Sequence, residues 1–352
     1  MLVSIVGTRP NLVKLAPIFR AAQEQNLNHC IIHTGQHYDY ELSQVFFEQL
    51  KLPVPNIYLK VGSGENTYQI GETILRVSKA LKTLSEPAIV LVYGDTNATV
   101  GAALGAKKSD FTVGHIESGI RTGNYQFPEE LNRIIAETCA DLLFAPTQST
   151  YATIKSTGRA VLVGDVMYDT LKWAKQFLSK DPLSQHNLSP HEYCLLTLHR
   201  GMNVDDPDTL IRILSTIADT EEHFLFPVHP RTQKTLKQFR VPKNIQVISP
   251  LGYITFLSLL KYANKIITDS GGVQKEAYSF GIPCVTLIEE AVWPETIKAG
   301  WNLPVGQDFN KIKKGILDFW PSGNRPQVFG DGHAAQKIIK TLLERNDFLL
   351  HK

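Results

Sequence analysis

The chain runs to 352 residues, 43% hydrophobic and 20% charged, with 36 basic residues against 34 acidic ones and a formal net charge of +2. That length exceeds what one core ordinarily fills, so two domains are expected. The near-even charge excludes a nucleic-acid protein, whose binding face needs a large basic excess.

The opening "MLVSIVG" reads as a first strand rather than a signal peptide. No apolar run approaches the length that spans a bilayer, so no membrane partner is expected. Short apolar runs then alternate with amphipathic helical stretches, the pattern of parallel sheets with crossover helices. The first half carries the strands "LVSIV", "HCIIH", "AIVLVY", "FTVGHI" and "DLLFAP", separated by helices such as "NLVKLAPIFRAAQEQ" and "ATVGAALGAKK". The second carries "YCLLTL", "HFLFPV", "IQVIS", "KIITD" and "CVTLI". The predicted fold class is α/β, two doubly wound Rossmann-like domains in series. The change between them falls near "VLVGDVMYDTL" or in the polar stretch "SKDPLSQHNLSPHEY", and the last helix, "GHAAQKIIKTLLERN", fits against either domain.

Four cysteines, Cys30, Cys139, Cys194 and Cys284, stand singly with no CxxC pair. They read as buried thiols in a reducing compartment, and the expected localisation is cytoplasmic. His33, His37 and His115 match no standard zinc spacing, so no metal is expected.

In open parallel sheets, ligands bind outside the carboxyl ends of the strands. The residues just after the first set of strands are Gly7-Thr8-Arg9, Thr34-Gly35-Gln36-His37, Gly94-Asp95-Thr96 and Glu117-Ser118-Gly119. After the second set come His199-Arg200, His229-Pro230-Arg231 and Asp269-Ser270-Gly271-Gly272. Polar and ionisable groups thus crowd one edge of each sheet, and a cleft between the domains is expected. In "TDSGGVQKEA", Ser270 is a good N-cap, and Gly271 and Gly272 leave the first helical amides open to a phosphate. Glu276, a turn further on, is suited to vicinal hydroxyls such as a ribose. A tight strand–helix turn with a solvated Glu276 explains the same residues equally well.

No GxGxxG follows the first strand, which argues against a nicotinamide enzyme, and "GAALGAKKS" has the wrong glycine spacing for a phosphate loop. Asp95 and Glu117 each end an apolar strand, where a buried carboxylate is costly unless paired or used. "FPEELNR" adds Glu129, Glu130 and Arg133; helix capping alone accounts for Glu129. His199-Arg200 is expected to face the cleft opposite the carboxylates, whereas His229-Pro230-Arg231 reads as structural. Arg9 and Lys14 stand on the first turn and helix, ready for phosphate charge or for solvent.

Taken together, "VGTRPNLVKLAPI", "HTGQHYDYELSQVFF", "YGDTNATVGAALGAK", "VGHIESGIRTGNYQFPEELNR", "TLHRGMNVDD", "FPVHPRTQKTLKQF" and "TDSGGVQKEA" resemble the non-hydrolysing UDP-N-acetylglucosamine 2-epimerases over nearly the whole chain. The resemblance implies the GT-B fold, with a first domain over 1–165, a UDP-binding domain over 166–332, and the helix 333–352 packing back on the first. It implies a homodimer, a UDP-sugar substrate and no cofactor. In that family UDP is eliminated to a glycal and re-added after C2 is reprotonated on the other face. By the same resemblance Asp95, Glu117 and Glu130 are acid/base groups and His199 the histidine near the diphosphate. Arg9, Lys14 and Arg133 bind or orient substrate, Ser270, Gly271 and Gly272 hold phosphate, and Glu276 holds ribose.

The chain departs from the family pattern at Gly201 and Met202, where many members carry a charged pair. It departs again at Ile288, Val292 and Trp293, where an arginine and a Glu-Arg pair are usual. An arginine fork is not replaced by an apolar side chain, so a different sugar or a reduced activity is implied. The allosteric UDP-sugar site of bacterial members uses the segments of Gln36-His37 and His199-Arg200. "HTGQHYDYELSQVFF" and "GWNLPVG" also resemble members acting on UDP-2,3-diacetamido-glucuronate. A retaining glycosyltransferase of the same architecture, or a non-catalytic UDP-sugar binder, is the remaining alternative.

Overall fold

The computed structural model describes residues 1–35, 40–289 and 292–345. Gln36, His37, Glu290, Ala291 and the end of the 333–352 helix lie outside the described residues. The chain divides into two compact units, Met1–Trp173 with Gln327–Lys352, and Ala174–Pro326.

The first unit is built on a wholly parallel sheet of β1 (Leu2–Val6), β2 (His29–His33), β3 (Ile57–Tyr58), β4 (Ile89–Tyr93), β5 (Thr112–Ile116), β6 (Leu142–Ala145) and β7 (Ala160–Leu162). The strand order is β3-β2-β1-β4-β5-β6-β7. Strands β1 and β4 are buried at every position, as expected where helices cover both faces of a sheet. Between them the chain order reverses direction, which is the switch point of a doubly wound sheet. Asn11 ties that point together: its Oδ1 accepts from the amides of Gly7 and Thr8, and its Nδ2 donates to the Tyr93 carbonyl at 2.9 Å. Helix Asn66–Leu81 packs closely on helix Asn97–Lys107. Gly101 permits this, since a Cβ there would stand 2.5 Å from Cβ of Thr73.

The last helix, Ala334–Glu344, packs on helix Arg9–Glu24. The division differs from the expected 165/166 and 332/333 boundaries for a physical reason. Helix Val166–Ala174 is bonded into the first unit: Thr170 Oγ1 donates to the Val13 carbonyl at 2.7 Å, and Asp169 accepts from the Ala335 amide at 2.8 Å.

The second unit carries β8 (Cys194–Thr197), β9 (Phe224–Pro227), β10 (Ile245–Ile248), β11 (Lys265–Thr268), β12 (Cys284–Thr286) and β13 (Asn302–Pro304), all parallel, in the order β10-β9-β8-β11-β12-β13. Its switch point lies between β8 and β11. Apolar side chains of helix Pro207–Ala218, among them Leu210, Ile213, Leu214 and Ile217, fill one face against Leu196, Phe224 and Ile267. All ten strands expected from the apolar runs are present; β3, β7 and β13 are the additions, each an edge strand of two or three residues.

Candidate active site

At the switch point of the first sheet, the sequence folds five ionisable side chains together. Lys14 projects from helix Arg9–Glu24, Asp95 follows β4, Glu117 follows β5, and Glu130 and Arg133 lie on helix Pro128–Cys139. The Lys14 ammonium pairs with the Glu117 carboxylate. The Arg133 guanidinium bonds Asp95 at 2.5 Å and Glu130 at 3.2 Å. Glu117, Glu130, Arg133 and Lys14 are buried, while the Asp95 side chain keeps 25% of its surface exposed. Asp95 is therefore the member of the cluster open to solvent.

The backbone is bent to make this arrangement. Glu117 has φ of +71°, a left-handed conformation that costs a side-chain-bearing residue roughly 1–2 kcal/mol and clusters at functional sites. Gly94 makes the room: at φ +66°, a Cβ there would lie 2.6 Å from Nζ of Lys14 and 3.3 Å from Glu117 Oε2. The buried His115 holds the Gly94 carbonyl at 2.7 Å through Nε2, and burial lowers its pKa. Asn132 donates to the Asp95 carbonyl at 2.8 Å.

Burial alone would raise the Glu130 pKa, but the Thr122 amide and hydroxyl, the Gly123 amide and Arg133 together hold it below the usual carboxylate value. For Arg133 burial acts downward and is outweighed by Asp95, Glu117 and Glu130, so its charge is secured. Glu130 is thus a fixed anion fully engaged by donors, whereas Asp95 combines one strong ion pair with solvent access. Arg9 opens the same helix as Lys14 and lies half-buried there.

In the second unit, Asp269 follows β11 and is completely buried. Its carboxylate accepts from the amides of His199 and Arg200, from Asn203 Nδ2 at 3.1 Å, and meets His199 Nδ1 at 2.8 Å. Burial would raise its pKa, but His199, the Arg200 amide and Asn203 bring it down to about 2. With Nδ1 held by this carboxylate, the half-exposed His199 ring presents Nε2 as its working nitrogen. Asp269 is the site residue that the sequence argument passed over. The signal was available, because it ends an apolar strand just as Asp95 and Glu117 do. His229 keeps its structural reading: Nδ1 accepts from the Arg231 amide at 3.2 Å and caps helix Pro230–Leu236.

Beside Asp269, Ser270 caps helix Gly271–Phe280 by accepting from the Val273 amide. The amides of Gly271 and Gly272 have no acceptor within a helix that starts there, and they mark its positive end. Glu276 is buried on this helix rather than solvated. The apolar departures are packed into the core: Ile288 is fully buried, and Val292 and Trp293 are 8% and 2% exposed. Gly201 is covered by the bidentate pair of Arg231 with Asp205, at 2.7 and 2.6 Å. Met202 is exposed, and its carbonyl accepts from Gln307. Among the described residues no group of three or more His, Cys, Asp or Glu is placed to hold a metal.

A family model described as UDP-N-acetylglucosamine 2-epimerase matches residues 20–343. A Methanococcus maripaludis protein named UDP-N-acetylglucosamine 2-epimerase homolog is 40% identical, over 97% of this chain and 99% of its own. The Pseudomonas aeruginosa UDP-2,3-diacetamido-2,3-dideoxy-D-glucuronate 2-epimerase is 35% identical, again over 97% and 99%. Among solved structures, the Methanocaldococcus jannaschii UDP-GlcNAc 2-epimerase in complex with UDP-GlcNAc and UDP matches with a TM-score of 0.89 and 36% identity, over 98% of this chain and 100% of that one. The fold is α/β of the GT-B class, and the chain belongs to the UDP-N-acetylglucosamine 2-epimerase family.

Proposed function

We propose that this chain interconverts UDP-N-acetylglucosamine and UDP-N-acetylmannosamine by inverting C2 of the sugar. The observation that carries the reading is the cluster of Asp95, Glu117 and Glu130 with Lys14 and Arg133 around one switch point. The C2 hydrogen is not next to a carbonyl, so a carboxylate removes it only if charge departs elsewhere. UDP leaving C1 with the bonding pair supplies that outlet and gives a glycal with a C1=C2 double bond. Reprotonation of C2 on the opposite face and return of a UDP oxygen to C1 complete the inversion. This chemistry needs a base and an acid on different faces of the ring. Asp95 after β4 and Glu117 after β5, each held by a different cation, are suited to it.

In this reading His199 and the amides at Gly271 and Gly272 receive the charge that grows on the departing diphosphate. Ser270 supports that turn, and Glu276 takes the ribose hydroxyls. Arg9 and Arg133 orient the substrate, while Glu130 keeps Arg133 in place. We further propose a cytoplasmic homodimer that supplies precursors for surface polysaccharide. The four free thiols fit a reducing compartment, and a solution mass of twice the chain is the test of the dimer.

UDP-2,3-diacetamido-2,3-dideoxy-glucuronate is the second reading. It is favoured by the Pseudomonas relative and by the segments "HTGQHYDYELSQVFF" and "GWNLPVG". Incubation with each UDP-sugar in heavy water, followed by proton NMR, tests both. Deuterium at C2 with formation of the 2-epimer identifies the substrate. Binding without exchange for either sugar would sink the epimerase proposal.

A further inference from the structure

Trp293 is the largest fully buried side chain among the described residues, and its N–H is bonded to helix Gly271–Phe280. Its indole Nε1–H donates to the Gly271 carbonyl at 2.9 Å. The Lys275 ammonium lies 4.5 Å from the ring centroid, on the same helix one turn later. A Cβ on Gly271 would meet Val292 Cγ1 at 3.4 Å. Val292 and Trp293 therefore wall the first turn of helix Gly271–Phe280 from the side, and the indole bonds it.

We propose that Trp293 is a positioning residue for nucleotide binding: it fixes Gly271 so that the amides of Gly271 and Gly272 point together at a diphosphate. The proposal rests on the assignment of that turn to the diphosphate. Two consecutive glycines at a helix start have the largest backbone freedom of any pair. That freedom lets a phosphate approach, but ordering the pair costs affinity when the ligand binds. A second donor on the Gly271 carbonyl, added to the helix's own Lys275 amide, removes the freedom beforehand. An apolar indole does so without bringing a competing charge to the anion site. On this argument the apolar departure at Trp293 is a support for the turn and not simply a missing contact.

The test is titration of UDP into the full chain and into Trp293→Phe, which keeps an aromatic ring, removes the donor and leaves part of the indole volume empty. The expected result is a dissociation constant about fivefold higher, the size of one net hydrogen bond, beside a lower melting temperature from the lost indole volume. Turnover should show the loss in KM rather than kcat. Deuterium uptake of the amides at 270–276 in the ligand-free protein should speed up. Val292→Ala keeps the indole bond and should leave UDP affinity within about twofold. Equal weakening by both variants would overturn the proposal, because general packing would then be responsible. So would a Trp293→Phe protein with wild-type affinity and uptake. Wild-type protein that fails to bind UDP at all would overturn the diphosphate assignment, and the proposal with it.

Discussion

The buried Asp269 carboxylate meets Nδ1 of His199 at 2.8 Å while its remaining partners are backbone amides and Asn203. The carboxylate end of this set is completely buried and fully engaged by donors, so the pair behaves as one rigid unit whose outward face is the His199 Nε2. Asp269→Asn keeps the shape but offers an amide N–H where donors already converge. We predict that turnover falls by on the order of 10²-fold, measured well below the melting temperature. Stability should fall by about 2–3 kcal/mol in urea unfolding, as for a buried charged acceptor removed from its donors.

The same pair sets an acid limit. The Asp269 pKa is held down to about 2, against an ordinary value of 3.8. A depressed folded-state pKa contributes stability that is fully present above pH 4 and is lost as pH falls toward 2. Wild type should therefore lose part of its stability across that window, and Asp269→Asn should show a flatter profile there.

Glu117 is forced into a left-handed backbone and rests against Lys14 in a buried pair. Glu117→Gln removes the base while preserving size. Deuterium incorporation at C2 should drop below detection, and UDP affinity should stay within about twofold because the nucleotide is assigned to other residues. Unchanged exchange would remove Glu117 from the chemistry.

Gly94 is the counterpart of that strained residue. Gly94→Ala adds a methyl 2.6 Å from the Lys14 ammonium at a φ of +66°. The side chain must displace the Lys14–Glu117 pair, and the backbone conformation itself is disfavoured. A loss of about 2–3 kcal/mol is expected from strain and overpacking together. Thermal unfolding measures it, and activity should fall further than stability alone accounts for.

The strands that carry these residues were legible because a parallel strand buried on both faces is an apolar run, and its end is marked by the first polar residue. That logic located Asp95, Glu117, His199 and the Ser270 turn. It gave no role to Asp269, because one carboxylate beside glycines reads as part of a turn rather than as an anchor for a histidine three strands earlier in the sequence. The edge strands β3, β7 and β13 were illegible for the opposite reason: two or three residues give no period to detect. Trp293 looked like a lost charge from sequence, and only its bond to Gly271 gives it a task. The left-handed Glu117 has no sequence signature, since the surrounding turn imposes the conformation.

Asp169 offers a stability test that does not involve the site. It sits on helix Val166–Ala174 and accepts from the Ala335 amide at the start of the last helix. Burial is the main cause that raises its pKa to about 6, opposed by the amides of Ala334 and Ala335 and by His333, with Asp165 adding to the rise. A raised folded-state pKa means that its favourable contribution is complete below pH 3.8 and disappears as pH rises through 6. Asp169→Asn mimics the protonated form and can keep its carbonyl on the Ala335 amide. The variant should lie close to wild type near pH 4 and become more stable above pH 6, by about 2–3 kcal/mol. Melting curves at pH 4, 6 and 8 read this directly, and a stability difference independent of pH would show that Asp169 acts through packing and not through its charge.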